Sequence, residues 1–277
     1  MFLLSAPVAP DTSVVTGSTT GDAVLAVCLI TATACVAIGV WEILARRSAV
    51  LLACCVGGLG CNIIEPFWDQ LGHLWFNVGN NTAWTVFEHQ NVPVHYPWWA
   101  VALYIQFGGF ECFAFYLMFS RGARPRTFWM FCGWQAVCNL LIEIPLIQAD
   151  VYQYYGEQPF KAFGLFPLHW LFINGVGVAT IAVVLHRVGH RFTGAGVLWF
   201  LAIPGTAQIA AFSVALPAFS LYNTEAASEW KWLASAATML LGAATLHGLS
   251  KLVPTTSAGP VTGAADRAPA AVGSGQV

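Results

Sequence analysis

The chain has 277 residues, of which 57% are hydrophobic and only 9% are charged, and its net charge is −2. Soluble domains carry about 25% charged residues, so this composition excludes an ordinary soluble domain and predicts a polytopic helical membrane protein. A net charge this close to zero gives no indication of a nucleic-acid partner.

Seven apolar segments are long enough to cross a bilayer as helices, and they predict an all-α bundle of seven transmembrane helices. In chain order, the predicted spans cover about residues 23–45, 48–70, 97–119, 127–148, 163–186, 194–219 and 229–250. Pro204-Gly205 breaks the sixth span. The flanking segments are rich in small and polar residues, so we predict disordered tails at 1–21 and 252–277 around a transmembrane domain at 22–251.

The basic residues orient the predicted spans. Only Lys161 and Lys231 fall on one side of the membrane. The other side carries Arg46, Arg47, Arg121, Arg124, Arg126, Arg187, Arg191, Lys251 and Arg267. The positive-inside rule places that side in the cytoplasm, so we predict a multi-pass protein of the cell membrane with its N-terminus outside and its C-terminus in the cytoplasm.

A polar stripe ends the second predicted span. Asn62, Glu65, Asp69 and His73 are spaced by three, four and four residues, so they share one side of a helix. Ionisable groups within a membrane segment are costly and indicate a functional site. Pro66 follows Glu65 directly and is expected to loosen the helix beside the acid.

Further polar residues lie at similar depths in the predicted spans. Glu111 lies near the middle of span three, and Glu143 lies in the half of span four opposite the arginines. Span four also carries Gln135 and Asn139, which share one helix face with Glu143, and spans five and six add His169, Asn174 and Gln208. Each carboxylate would cost on the order of 2.5–3.5 kcal/mol if it faced lipid, so these groups are expected to share a polar cavity.

The predicted cavity suits acid catalysis. No lysine or arginine lies at the depth of Glu65, Glu111 and Glu143, so the three carboxyl groups cannot all be ionised and at least one is expected to be protonated. A protonated carboxyl group is a proton donor, and ionised neighbours and aromatic faces stabilise a developing cation. This combination points to Brønsted-acid chemistry on an alkene or epoxide. Hydrogen bonding between helices is the purely structural alternative.

The eight cysteines all fall inside apolar segments, which indicates small buried side chains instead of a disulfide framework or a metal motif. The small residues at 54–60 and at Gly108-Gly109 are predicted to permit close helix packing. We therefore predict no metal site and no cofactor.

The segment Asn62-Ile-Ile-Glu65-Pro-Phe67-Trp68 resembles an element of the small integral-membrane terpene cyclases of meroterpenoid and indole-terpenoid pathways. Those enzymes place a Glu late in span two near an aromatic residue, have seven spans and lack the Asp-rich metal motifs of soluble cyclases. They also use an acid near the last span, whereas the seventh span of this chain has no acidic residue at depth. The resemblance implies protonation of an isoprenoid double bond or epoxide within the bilayer.

A weaker resemblance links the chain to the emopamil-binding sterol isomerases. Ile64-Glu65-Pro-Phe67-Trp68, Glu111 and the segment 166–174, which ends in Asn174, occur in the same order as that family's Ile-Glu-aromatic element, mid-membrane Glu and later Asn. This resemblance implies migration of a double bond instead of ring closure. Protonation of an isoprenoid substrate is common to both families.

The leading hypothesis is a metal-independent membrane terpene cyclase that acts on an isoprenoid or prenylated lipid. Glu65 is the first candidate for the acid, assisted by Asp69, while Glu143 and Glu111 orient it or stabilise charge, and His169 is the terminating base. The predicted substrate-binding residues are Asn62, Trp68, Trp134, Asn139, Trp170, Asn174 and Gln208. A double-bond isomerase and a small proton-coupled transporter remain as alternatives, and the sequence leaves the substrate and the oligomeric state open.

Overall fold

In a computed structural model of the chain, the described structure comprises residues 18–77, 81–86, 93–122, 124–188 and 194–252. Helices dominate it, and six of them are long and apolar enough to cross a membrane. These six cover Thr19–Arg46, Trp98–Ser120, Pro125–Gln148, His169–Val188, Gly194–Tyr222 and Ser228–Lys251. The helices Val50–Ile63 and Glu65–Leu71 meet the same criteria only as a pair bent by 44°. The structure therefore has six candidate spans, or seven if the bent pair is one span.

The helices are α1 Ser18–Arg46, α2 Val50–Gly58, α3 Glu65–Leu71, α4 Trp98–Tyr104, α5 Cys112–Ser120, α6 Pro125–Gln148, α7 His169–Val188, α8 Ile203–Phe212, α9 Leu216–Tyr222 and α10 Ser228–Lys251. Tighter 3-10 turns cover Leu59–Ile63, Gly194–Leu201 and Ser213–Ala215, and a π-helix covers Ile105–Glu111. Six short strands are β1 Leu74–Phe76, β2 Thr82–Thr85, β3 His95–Pro97, β4 Tyr152–Tyr154, β5 Lys161–Ala162 and β6 Phe166–Pro167. They form three antiparallel pairs, β1 with β4, β2 with β3 and β5 with β6.

The strands were not expected from the sequence, and they define one end of the bundle, the strand end (β1 to β6). There Asn81 donates a hydrogen bond to Asp22 near the start of α1. Asn223, just after α9, donates to the carbonyl oxygen of Leu71 over 2.8 Å. The start of α1, the end of α3 and the end of α9 therefore meet at the strand end.

The opposite end carries arginines and is named the arginine end (Arg46, Arg121, Arg187). Arg46 ends α1, and Arg187 of α7 donates to the carbonyl oxygen of Leu252, just after α10, over 2.7 Å. Because α2 begins at Val50, close to the end of α1, the bent segment runs from the arginine end to the strand end.

Proline and glycine set where this segment bends and how closely it packs. Pro66 lies in the first turn of α3, where a missing N–H costs no helical hydrogen bond. A Cβ on Gly58 would lie 2.1 Å from the carbonyl oxygen of Tyr104, and one on Gly109 would lie 2.5 Å from Cα of Cys55. The prediction that these small residues permit close helix packing is therefore confirmed.

The structure also bears on the predicted helix break, on the start of the first helix and on the cysteines. The break predicted at Pro204-Gly205 is present, since α8 begins at Ile203 after a stretch of 3-10 helix. Helix α1 begins at Ser18, earlier than the boundary that we predicted at residue 22. All eight cysteines are free, and six of them are buried. Residues 1–17 and 253–277, which include most of the two predicted tails, lie outside the described residues, as does Arg191.

Candidate functional site

A cavity of about 490 Å³ lies in the half of the bundle nearest the strand end. This volume is within the range of roughly 300–1,000 Å³ that small-molecule sites occupy. Helices α1, α3, α4, α6 and α7, the π-helix and the strands β1, β3 and β4 all contribute to its wall. Its apolar and aromatic lining includes Leu74, Phe76, Tyr96, Trp99, Phe107, Leu146, Tyr154 and Trp170.

Four carboxyl groups line this one cavity, namely Glu65, Asp69, Glu111 and Glu143. They come from three separate parts of the chain: α3, the π-helix and α6. Among the described lining residues there is no lysine, arginine or histidine. A shared cavity for the acidic residues was the central expectation from the sequence, and the structure brings all four candidates to it.

Glu65 is fixed by hydrogen bonds from two other helices. It begins α3, and its buried Oε2 accepts a hydrogen bond from Nε2 of Gln208 on α8 over 2.6 Å. The hydroxyl of Tyr104 on α4 is a second hydrogen-bond partner of the same carboxyl group. Gln208 does not line the cavity, so it positions Glu65 from behind.

Glu143 is held by the chain that follows it. Oε2 of Glu143 accepts a hydrogen bond from the hydroxyl of Tyr152 on β4. Tyr152 is buried, and its strand pairs with β1 across the strand end. The β1–β4 pair therefore both covers the cavity and orients one of its carboxyl groups.

Asp69 lies close enough to both of these positioned carboxyl groups to interact electrostatically with them. Its buried Oδ2 has no hydrogen-bond partner among the described residues. Asp69 and His73, at the end of the polar stripe, are both buried. The strands, which the sequence did not indicate, cover this end of α3.

Glu111 is set apart from the other three acids. It ends the π-helix, 13 residues beyond Trp98, or roughly 20 Å from the strand end at about 1.5 Å per residue. Its Oε2 is buried without a hydrogen-bond partner among the described residues. The cavity is therefore elongated along the bundle, with three acids near the strand end and one deeper.

Two amides bridge α6 and α7 in the cavity wall. Nδ2 of Asn174 donates to Oδ1 of Asn139 over 2.6 Å, and both residues line the cavity. The sequence predicted that Gln135 shares a helix face with Asn139 and Glu143. Gln135 is buried near Gly175 but does not line the cavity.

Four of the predicted substrate-binding residues do not line the cavity, namely Gln208, as described above, and Trp134, Trp68 and Asn62. Trp134 is 66% exposed on the bundle surface, so the prediction that it forms a cavity wall is wrong. Trp68 is buried behind the wall, with its ring 6.1 Å from that of Phe212. Asn62 accepts a hydrogen bond from the hydroxyl of Tyr96 over 2.8 Å and thereby positions a residue that does line the cavity.

His169 does not line the cavity, so the sequence-based role of terminating base is not supported. It is fully buried at the start of α7, where Nδ1 lies 3.5 Å from the hydroxyl of Tyr222. Tyr222 is in turn hydrogen bonded to Ser235 of α10. This histidine belongs to a polar contact between helices, next to Trp170, which does line the cavity.

Sequence reasoning missed the tyrosines of the site. Tyr104 and Tyr152 contact the carboxyl groups, and Tyr96 and Tyr154 line the cavity. Tyr96 and Tyr154 lie just outside predicted spans, where aromatic residues are also typical of the membrane interface. The sequence could have indicated Tyr104, because this tyrosine lies within predicted span three.

Comparison of the chain with known protein families, with curated proteins and with solved structures finds no match. Within the described residues, no group of three or more His, Cys, Asp or Glu side chains is arranged to hold a metal ion. The chemistry of the cavity is therefore argued from its own side chains.

Proposed function

We propose that this protein is an integral-membrane isoprenoid cyclase that protonates an alkene or an epoxide. The observation that carries the proposal is the set of four carboxyl groups in one aromatic-lined cavity without a lining cation. Such a cavity supplies a proton and then surrounds the cation that forms with negative charge and aromatic faces. It fits the expectation raised by the resemblance to membrane terpene cyclases.

The hydrogen bonds favour Asp69 as the proton donor, in place of the sequence-based first choice, Glu65. Hydrogen bonds donated to a carboxylate favour its ionised form, and both Glu65 and Glu143 accept such bonds. Asp69 interacts electrostatically with both of these negative groups, and its Oδ2 has no hydrogen-bond partner among the described residues, which favours its neutral, proton-donating form. Glu65 and Glu143 then stabilise the developing cation.

The proposed step needs no co-reactant. The O–H bond of Asp69 breaks. Either a C–H bond forms at one alkene carbon as the π bond breaks, or an O–H bond forms at the epoxide oxygen as one C–O bond breaks, and a carbocation results. The electron pair of a second alkene closes a carbon–carbon bond. Loss of a proton to the Asp69 carboxylate forms the final double bond and restores the acid, so His169 is not required.

We also infer that the bent pair Val50–Ile63 and Glu65–Leu71 is one span, which gives seven spans. Its two ends contact opposite ends of the bundle, which supports a segment that crosses the membrane and not a re-entrant loop. The arginine end then faces the cytoplasm and the strand end faces outside, in agreement with the positive-inside rule. This topology is that of a multi-pass protein of the cell membrane.

A double-bond isomerase is the second candidate. The set of carboxyl groups also suits this reaction, because one can donate a proton to an alkene carbon while a second accepts a proton from a neighbouring carbon. The two reactions differ in their products, since cyclisation adds a ring and isomerisation does not.

The direct test is conversion of prenylated substrates by the purified protein in nanodiscs, with a chelator present and products analysed by mass spectrometry and NMR. We expect Asp69→Asn to lower turnover by at least about 1,000-fold, since it removes the proton. Glu65→Gln is expected to lower turnover about 10- to 100-fold, since it removes only charge stabilisation.

The matched control is Glu42→Gln, which removes a carboxylate that pairs with Arg46 at 3.1 Å on the arginine end. It should leave turnover unchanged. If Asp69→Asn keeps its activity while Glu65→Gln loses it, Glu65 is the donor. Products with the same ring count as the substrate would establish the isomerase, and undiminished turnover in both variants would rule out acid catalysis at this cluster.

A further inference from the structure

Part of the cavity wall is exposed on the side of the bundle. On α1, Thr31 is half-buried and Ala34 is exposed, and both line the cavity. On α6, Ile142 lines the cavity and is 47% exposed. Phe110 of the π-helix lies on the same wall and is 36% exposed. A side chain that lines the cavity and is also exposed marks a place where the wall is open.

The opening faces sideways, not toward the strand end. At the strand end the cavity is covered by buried aromatic side chains of the strands: Phe76 of β1, Tyr96 of β3, and Tyr152 and Tyr154 of β4. The exposed lining residues instead lie near the middle of α1 and about three quarters of the way along α6. In a bilayer these positions face the hydrocarbon of the membrane.

The packing of the two flanking helices explains why a gap is present. Helix α1 packs against α2 and α4, and α6 packs against α7. Among the described residues, α1 and α6 do not form a packed interface with each other, although both border the cavity. We name the space between Thr31, Ala34, Phe110 and Ile142 the α1–α6 gap.

We propose that the α1–α6 gap is a lateral portal that holds the part of an isoprenoid chain that does not react. This inference rests on the proposed function and adds to it the substrate class, a prenyl chain that stays partly in the bilayer. The gap is continuous with the acid-lined cavity and is bordered by methyl groups and an aromatic ring, which match a hydrocarbon chain. The reacting end then lies among Glu65, Asp69 and Glu143.

The position of Glu111 defines the inner edge of this portal. Glu111 follows Phe110 directly and lies deeper in the bundle than the other three acids. Glu111 lines the cavity next to Phe110, and its buried Oε2 has no hydrogen-bond partner among the described residues. A photoreactive group on a chain in the portal therefore has an acidic residue within reach.

The test is photo-crosslinking in phosphatidylcholine nanodiscs with a C20 prenyl alcohol that carries an alkyl diazirine at its end. An alkyl diazirine is chosen because it reacts readily with carboxyl groups. We expect labelling of Glu111 and of the Glu65–Asp69 segment. Ala34→Trp and Ile142→Trp should each lower the initial rate of this labelling about tenfold. The controls are Ala37→Trp and Leu141→Trp, which place the same ring at exposed neighbours that do not line the cavity.

Labelling of the cavity acids at the same rate in all four tryptophan variants overturns the portal. Thermal unfolding is measured for every variant, and Ala34→Phe with Ile142→Phe provides a smaller obstruction if a tryptophan prevents folding. The length of the probe chain gives an independent readout. With an open gap, the rates at which C15, C20 and C25 probes label the acids should lie within about threefold of one another. An enclosed cavity would exclude the C25 probe.

Turnover measured in parallel separates the two proposals. If gap variants block labelling but the unaltered protein forms no isoprenoid product, the portal stands and the cyclase proposal fails. If the unaltered protein forms product and the gap variants neither slow it nor change labelling, the cyclase proposal stands and the portal fails.

Discussion

Gln208 donates a hydrogen bond to Glu65 over 2.6 Å, although 143 residues separate them in the chain. The contact joins α8 to the first turn of α3 inside the bundle. Nε2 of Gln208 also lies 3.4 Å from the hydroxyl oxygen of Tyr104, so three side chains form one polar cluster, with Glu65 and Tyr104 in the cavity wall and Gln208 behind it. The cluster fixes which way the Glu65 carboxyl group points.

Replacing Gln208 by leucine should therefore impair both stability and chemistry. Gln208→Leu keeps the approximate volume but removes a donor from a buried carboxyl group. Leaving a buried acceptor unsatisfied costs about 1–3 kcal/mol, and we expect the free energy of unfolding in detergent to fall by that amount. Turnover should fall about tenfold. Gln148→Leu, at the exposed end of α6, is the control, and equal effects of the two variants would contradict a positioning role for Gln208.

Tyr152→Phe tests the hydrogen bond that orients Glu143. The substitution removes one hydroxyl and leaves the ring that packs against Phe76. We expect a loss of about 1–3 kcal/mol in the free energy of unfolding, because Oε2 of Glu143 loses its donor. We also expect a measurable decrease in turnover, read from steady-state kinetics in nanodiscs.

Tyr116→Phe makes the same chemical change away from the cavity. Tyr116 lies on α5 and does not line the cavity. This variant should match the unaltered protein in both measurements. A Tyr152→Phe variant with full turnover would show that Glu143 needs no fixed orientation and has no part in the reaction.

The cluster of acids is the part of the site that the sequence predicts well. Placing a carboxyl group in lipid costs free energy, and Glu65, Glu111 and Glu143 fall at depths from which they can line one cavity. This energetic argument needs no knowledge of the fold, because it depends only on the depth of each residue in its span. Depth does not identify the partner of each acid, so the contacts with Gln208 and Tyr152 were not predicted in detail.

The direction in which a side chain faces is what the sequence leaves open. Trp134 and Trp170 both lie in predicted spans, yet Trp134 is exposed while Trp170 lines the cavity. A bundle that is apolar on its lipid face as well as in its interior gives little periodicity to separate the two sides. His169 failed as a candidate for the same reason, since its helix face turns toward Tyr222.

A double-mutant cycle on Asn139 and Asn174 measures how much their hydrogen bond contributes to joining α6 and α7. The 2.6 Å contact is between two neutral amides in the cavity wall. Interhelical hydrogen bonds in membrane proteins average about 0.6 kcal/mol, with a maximum near 1.7 kcal/mol. We expect a coupling free energy in this range from Asn139→Ala, Asn174→Ala and the double variant.

The same cycle carried out on substrate affinity tests a second role for these amides. If they only join helices, the two substitutions should change the KM additively or not at all. A coupling in KM with unchanged kcat would show that the pair also binds the substrate. A coupling near zero in the free energy of unfolding would contradict the structural contribution of this bond.

Gly109→Ala should be among the most damaging single-methyl changes in the chain. The added Cβ would lie 2.5 Å from Cα of Cys55 and 2.9 Å from the carbonyl oxygen of Cys54, and both are backbone atoms that cannot rotate away. Overpacking of this kind costs about 1–3 kcal/mol, so we expect a lower thermal unfolding temperature in detergent. The π-helix must then move away from α2, which displaces Glu111.

Gly133→Ala is the matched control on α6, because a Cβ there meets no atom within 4 Å. It replaces glycine by a better helix former and should be neutral or stabilise the protein by up to about 1 kcal/mol. If Gly109→Ala unfolds at the same temperature as Gly133→Ala, α2 and the π-helix accommodate the added methyl group without a loss of stability. Glu111 would then not depend on that contact for its place in the cavity.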